Sequence, residues 1–171
     1  VEVDKHNQVA TFAGGCFWGI EAYFAQLKGV ENTRVGYSQG TTGRPTYQQV
    51  CTGLTGHAEV CEVTYDEKIL SLPKLLEHFF RVIDPTTLNR QGPDVGTQYR
   101  TGVYYASEED KEVIINFINE MQLRYSAPIV VEVEPVGHFF PAEDYHQSYL
   151  VKIPGGYCHI NLSLAKPDEC K

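Results

Sequence analysis

The sequence predicts a fold of the α/β (α+β) class: a two-layer sandwich with a mixed central sheet, helices packed on it and a long C-terminal coil. Three observations carry that expectation. Alternating or β-branched stretches are interleaved with stretches whose apolar residues recur at helical spacing. The segments between them lack the tight spacing of a doubly wound parallel sheet, which favours a mixed sheet under a cover of helices. Beyond about residue 136 the chain becomes rich in aromatics, Pro and Gly without a period, so the tail is expected to wrap as coil.

Each element follows from its own residues. Gln8 to Phe12 alternates as a first strand and runs into Gly14-Gly15-Cys16. Phe17, Ile20, Phe24 and Leu27 then fall at helical spacing and Gly29 supplies a stop, so Cys16 stands at the first turn of a helix. Val30 to Tyr37 reads as a second strand, Ser38 to about Gly56 as a long loop, and Ala58 to Tyr65 as a third strand. Leu72, Leu75, Leu76, Phe79, Phe80 and Ile83 form one helical face, with Ser71 as N-cap, Pro73 in the first turn and Asp84-Pro85 as terminator. Thr86 to Gln98, holding Gly92, Pro93 and Gly96, is an aperiodic loop long enough to suggest a role in function. Tyr99 to Ala106 is a further strand. Ser107-Glu108-Glu109-Asp110 opens a helix whose buried stripe is Val113, Ile114, Phe117, Ile118 and Met121, and Ile129 to Val136 is a β-branched strand.

The 171 residues are enough for one core and few for two, so one domain over 1–171 is expected. With 42% hydrophobic and 21% charged residues the chain sits among folded globular proteins, not disordered ones. No apolar run approaches the roughly 20 residues that span a bilayer, and the first residues are too polar for a secretory signal. A cytoplasmic monomer is the expectation. The 14 basic residues are scattered among 22 acidic ones, giving a net charge of -8, which argues against a nucleic-acid partner. Five cysteines leave one over from any fully paired framework, and a chain of this size folds without cystines, so redox or catalytic thiols become the question.

A sulfur at a helix start feels the positive end of the helix dipole, which lowers its pKa and makes Cys16 a candidate nucleophile. From position alone, a cysteine between Gly15 and Phe17 is more often a small buried hydrophobe. The string Gly15-Cys16-Phe17-Trp18-Gly19 shifts that balance, because it resembles the signature pentapeptide of the A-class peptide methionine sulfoxide reductases. Further blocks match in order: Pro45-Thr46-Tyr47, Thr55-Gly56-His57-Ala58-Glu59, Gly92-Pro93-Asp94, Gly96-Thr97-Gln98-Tyr99-Arg100, Tyr145-His146-Gln147 and Gly156-Tyr157-Cys158. The sequence departs from the pattern at Pro93, where the family commonly has Asn.

Sulfoxide reduction needs a soft nucleophile, an acid for the departing oxygen and a pocket for a methyl group. The resemblance implies Cys16 as nucleophile, Glu59 as a buried acid, Tyr47 and Tyr99 as hydrogen-bond donors to the oxygen, and Asp94 as a residue that holds these groups or a water. Phe17 and Trp18 would wall the methyl pocket. It further implies reduction of the S epimer, a sulfenic acid on Cys16, Cys158 as resolving thiol, Cys170 as a second relay, and thioredoxin or dithiothreitol as reductant without any other cofactor. Cys51 and Cys61 are expected to be inert, and His57 and His146 to be scaffold. Two alternatives stand beside this reading. One is a cysteine hydrolase or acyltransferase using Cys16 with His57 or His146. The other is a binding module in which Cys158, His159 and Cys170 hold a metal, although the chain has no Cys-x-x-Cys and no His pair at ligand spacing.

Overall fold

The computed structural model describes residues 7–41, 43 and 45–171; the polar start Val1 to His6, with Thr42 and Arg44, lies outside the described residues. The chain runs through β1 (Asn7–Gly14), α1 (Phe17–Ala25), β2 (Val30–Ser38), α2 (Tyr47–Cys51), β3 (Ala58–Asp66), α3 (Leu72–Val82), β4 (Arg90–Gln91), β5 (Asp94–Val95), β6 (Thr101–Tyr105), α4 (Glu108–Gln122), β7 (Glu132–Pro135), β8 (Phe140–Pro141) and α5 (Tyr149–Lys152). Six strands form one sheet in the order β7-β6-β1-β3-β2-β8. All neighbours are antiparallel except β6 and β7, which makes the sheet mixed, as predicted.

Strand alternation decides what each face holds. On β3, Cys61, Val63 and Tyr65 join the large core that also contains Phe12 of β1, Phe24 of α1, Leu75, Leu76 and Phe79 of α3, and Ile114 of α4. The helices therefore cover one face. Ala13, Ala58, Val60 and Tyr104 point the other way into a smaller cluster closed by Val136 and Phe139. Glu59 shares the parity of Cys61 and pairs across the ladder with Tyr37, so its carboxyl points into the helix layer and not to solvent. Phe12 anchors that layer, with ring centroids 4.9 Å from both Phe24 and Phe79. Truncating such a buried ring costs about 3–5 kcal/mol.

Structure departs from expectation in the two loops and in the tail. The Ser38 to Gly56 loop contains α2, started by a capping box in which Thr46 and Gln49 satisfy each other's backbone N–H groups. The Thr86 to Gln98 loop contains the β4-β5 hairpin, with Gly92-Pro93 at its turn. The tail is largely coil, as expected, but short helices interrupt it and β8 returns it to the sheet edge beside β2. The strand expected at Ile129 to Val136 shortens to Glu132–Pro135.

Candidate active site

The site grows from the corner where β1 becomes α1. Gly14 is packed so closely that a Cβ there would stand 2.9 Å from both Ile20 and Ile83. Gly15 turns the chain at φ +83°, a left-handed conformation that favours glycine. Cys16 is the N-cap of α1 and is 5% exposed. Beneath it lies Glu59, 1% exposed, which accepts the Phe17 N–H at 3.2 Å through Oε1. Its Oε2 has no hydrogen-bond partner among the described residues. Burial pushes the Glu59 pKa up to about 8; the Phe17 N–H opposes this and Asp94 adds to it.

The expected lowering of the Cys16 pKa is not what the structure shows. Burial raises it, Glu59 raises it further, and Asp94 and Cys158 add smaller increments. The helix-end effect is present as the Trp18 N–H, which lowers the pKa, but desolvation and neighbouring acids outweigh it. Burial thus favours the protonated form of both the Cys16 thiol and the neighbouring Glu59 carboxyl.

Aromatic side chains wall the corner. Phe17 is fully buried and lies 6.3 Å from Tyr47 and 5.2 Å from His146, centroid to centroid. Trp18 stacks on Tyr149 at 3.8 Å and gives its indole N–H to His146 Nδ1 at 2.9 Å. Tyr47 opens α2, its backbone N–H held by Glu143 at 3.2 Å, and its ring sits 4.4 Å from His146. Tyr99 ends the short helix after β5. The pKa values of both phenols are raised, by burial first and by Glu59 second, and the Tyr99 phenol also feels Cys16. Asp94 of β5 faces the same space and accepts the Tyr157 hydroxyl at 2.9 Å. Cys16, Glu59, Tyr47, Tyr99 and Asp94, distant in sequence, thus interact electrostatically around one sulfur.

The comparisons with known proteins agree on the family of the chain. The family model described as peptide methionine sulfoxide reductase matches residues 8–170. A peptide methionine sulfoxide reductase MsrA of Clostridium acetobutylicum is 57% identical over 155 residues, covering 91% of this chain and 96% of the relative. The reduced form of Mxr1 from Saccharomyces cerevisiae superposes with a TM-score of 0.87 at 38% identity, covering 94% of each chain. The same yeast protein in complex with Trx2 gives a TM-score of 0.61 at 27% identity, covering 87% of this chain and 89% of that one.

The chain belongs to the peptide methionine sulfoxide reductases.

In this reductase all five cysteines are free thiols, and their places differ. The sulfur of Cys158 stands 3.2 Å from where a Cβ on Gly19 would be, so it lies against the first turn of α1 on the Cys16 side. Cys170 is not brought there. It forms an isolated bridge with Leu27 past the far end of α1, and the nine residues of that helix span roughly 13 Å. This geometry also separates the three groups of the metal alternative, and no cluster of three or more His, Cys, Asp or Glu suited to a metal occurs among the described residues. The His146 Nδ1 accepts from Trp18, so the neutral ring carries its hydrogen on Nε2 and has no lone pair left to act as a base, which weakens the hydrolase alternative for that histidine. Cys61 is fully buried on β3, as an inert residue should be. Cys51 is not the inert apolar residue expected: it is exposed, and its thiol hydrogen-bonds with the phenols of Tyr47 and Tyr99.

Three residues of the site are not marked out by the sequence: Glu143, which holds the Tyr47 N–H, Tyr149, which stacks on Trp18, and Tyr157, which donates to Asp94. Tyr157 lies in the Gly156-Tyr157-Cys158 block, where its neighbour Cys158 is the signal that points to it. Glu143 and Tyr149 flank the Tyr145-His146-Gln147 block. Nothing in their own surroundings sets them apart from surface residues. No helix among the described residues is long and apolar enough to cross a membrane.

Proposed function

We propose that the single domain reduces the S epimer of methionine sulfoxide, free or in proteins, with Cys16 as nucleophile and Glu59 as acid. The Cys16 sulfur bonds to the sulfoxide oxygen as the oxygen leaves the methionine sulfur, so that one thiol and one sulfoxide become a sulfenic acid and a thioether. Glu59 gives its proton to the oxygen as charge grows there and takes up the proton that Cys16 releases. The raised pKa values of both groups suit this exchange, since each enters the reaction protonated and neither is left as an isolated buried charge. Tyr47 and Tyr99 donate to the oxygen, Asp94 sets the field around them, and Phe17 with Trp18 supplies an apolar wall for the methyl group. The observation that carries this reading is the buried Glu59 carboxyl, pushed up to about 8 next to the Cys16 thiol.

Cys158 then forms a disulfide with Cys16, and thioredoxin reduces it by exchange, a partnership suggested by the yeast relative's complex with Trx2. Cys170 serves as a second relay only after its bridge to Leu27 is broken. The test is one equivalent of a methyl sulfoxide added to the reduced protein, followed by product assay and mass spectrometry of the thiols. Native protein yields one thioether and a Cys16 to Cys158 disulfide. Cys16→Ser yields neither, and Cys158→Ala yields about one product before stalling. Sustained thioredoxin-linked turnover by Cys158→Ala, or product from Cys16→Ser, is the result that overturns the scheme.

A further inference from the structure

His159 follows the resolving thiol in sequence, and its ring lies on the corner that carries Cys16. His159 Nε2 is 2.9 Å from the Gly14 carbonyl oxygen. A carbonyl only accepts, so Nε2 is the nitrogen that carries the hydrogen and Nδ1 is left with a lone pair. That Nδ1 is buried and has no hydrogen-bond partner among the described residues. It is not far from a proton source. A Cβ placed on Gly19 would meet the Cys158 sulfur at 3.2 Å and His159 Nδ1 at 3.2 Å, so sulfur and lone pair border the same point beside α1. A Cβ on Gly15 would stand 2.7 Å from Nε2, so the two glycines of the signature string make the space that the imidazole and the thiol fill.

We propose that His159 is the base that takes the proton from Cys158 in the resolving step. This rests on the sulfenic acid chemistry set out above. The Cys158 S–H now points to the Ile160 carbonyl at 3.2 Å, and a rotation about its Cβ–Sγ bond swings the hydrogen away from that carbonyl, towards Nδ1, without moving the sulfur. The proton passes to Nδ1, the thiolate attacks the Cys16 sulfur, and the S–S bond forms as the S–O bond breaks. The oxygen leaves with its own hydrogen and the proton returned by Nδ1, as water. One sulfenic acid and one thiol become one disulfide and one water; the Cys16 sulfur is reduced, the Cys158 sulfur is oxidised, and His159 ends neutral as it began.

The surroundings keep the ring neutral, so its lone pair is available to accept a proton. Burial lowers its pKa, while the Gly14 carbonyl and the Asp94 carboxylate of β5 pull the other way with smaller effect. Asp94 is the acid that acts on the ring from another element, and Glu59 lies under Cys16. A lone pair kept free at neutral pH beside a thiol is what general-base catalysis needs, and it contributes typically 10²–10⁴-fold.

The experiment is a rapid-quench single turnover of the full chain with one equivalent of methyl sulfoxide. Thioether formation, dimedone-trapped sulfenic acid and Cys16 to Cys158 disulfide are followed together in native protein and His159→Gln. The glutamine amide reaches towards the Gly14 carbonyl but accepts no proton at neutral pH. Disulfide formation relative to thioether formation is expected to slow about 100-fold at pH 7, with sulfenic acid accumulating and the ratio recovering as the pH rises into the thiol range. An unchanged ratio and pH profile overturns the proposal. Absence of thioether from native protein overturns the proposed function instead. If the variant does not fold, native protein decides: its disulfide step should rise through one ionisation below the ordinary imidazole value of about 6.5, apart from the Glu59 transition at about 8, whereas a rise only near the free-thiol value of about 8.5 overturns the role.

Discussion

The two ends of α1 each carry a cysteine, and they treat buried polar atoms in opposite ways. At the N-terminal end, Glu59 Oε2, Thr101 Oγ1, His146 Nε2 and His159 Nδ1 are buried without hydrogen-bond partners among the described residues. Each belongs to a residue tied to the chain between Gly14 and Trp18: through the Phe17 N–H, the strand pairing of Thr101 with Gly14, the Trp18 indole, and the Gly14 carbonyl. At the C-terminal end, Glu169 is held by both terminal nitrogens of Arg81 at 2.7 and 2.9 Å, by Lys74 at 3.2 Å and by the Lys166 N–H at 2.8 Å, with His78 3.6 Å away. Backbone bonds from Lys28 to Glu169 and from Lys171 to Gln26 complete the docking. Unsatisfied buried groups cost free energy, and their concentration at one end is what the proposed substrate site requires. The satisfied end holds the tail down.

The sharpest way to break the comparison is to remove the acid at the unsatisfied end. Glu59→Gln keeps an acceptor for the Phe17 N–H but cannot deliver a proton, and the chemical step is expected to fall 10²–10⁴-fold with little change in substrate binding. With Glu59 as the proposed acid, the rate in native protein should decline as pH rises through about 8. Stability should move in the opposite sense for the variant. A carboxyl whose folded pKa is raised above its ordinary 4.5 withholds no stability below that pH and progressively destabilises the fold between 4.5 and about 8, at about 1.4 kcal/mol per pH unit. Denaturation of both proteins at pH 4 and pH 8 checks this. The variant should gain on native protein only at the higher pH; equal curves throughout would mean that Glu59 is not held protonated.

The contrast also explains what the sequence made legible. Periodicity located β1, α1, β3, α3 and α4 because each buries a stripe or a face, and burial is what selects apolar residues at fixed intervals. It missed α2 and the β4-β5 hairpin because five residues and two pairs of residues are too short to show a period, and because capping and turn geometry form them instead of a core-facing stripe. Glu59 was accessible through the resemblance and through its apolar neighbours. The direction of the Cys16 pKa was not, because the dipole argument sees only the helix, while the outcome depends on burial and on Glu59, 43 residues further along the chain.

A change at the satisfied end should be smaller and should spare the first turnover. Arg81→Gln removes the two-pronged partner of Glu169, a charge-assisted pair whose loss costs about 1–3 kcal/mol. Alkylation of Cys170 should then quicken, while thioether formation with one equivalent of sulfoxide stays at the native rate. The same loosening should appear in native protein at low pH. The Arg81 guanidinium holds Glu169 well below its ordinary 4.5, so its contribution is complete above that value and fades as pH falls towards the folded value. A Cys170 alkylation rate that is the same in both proteins would show that Glu169 is not what fixes the tail.

The smallest expected effect lies between the two ends, at Cys51. Its thiol shares hydrogen bonds with the two phenols assigned to the sulfoxide oxygen, so it can set their orientation without touching substrate. One hydrogen bond of ordinary net strength, about 0.5–1.5 kcal/mol, corresponds to a two- to tenfold change in rate. Cys51→Ala should therefore lower kcat/KM by that factor, and Cys51→Ser, which keeps a hydroxyl in reach of both phenols, should recover most of it. Stability should hardly change, because Cys51 is exposed and fills no part of the core. If Ala and Ser behave alike, the phenols are positioned by their own backbone, Tyr47 through Glu143 at the start of α2 and Tyr99 through the hairpin before it, and the thiol between them is a bystander.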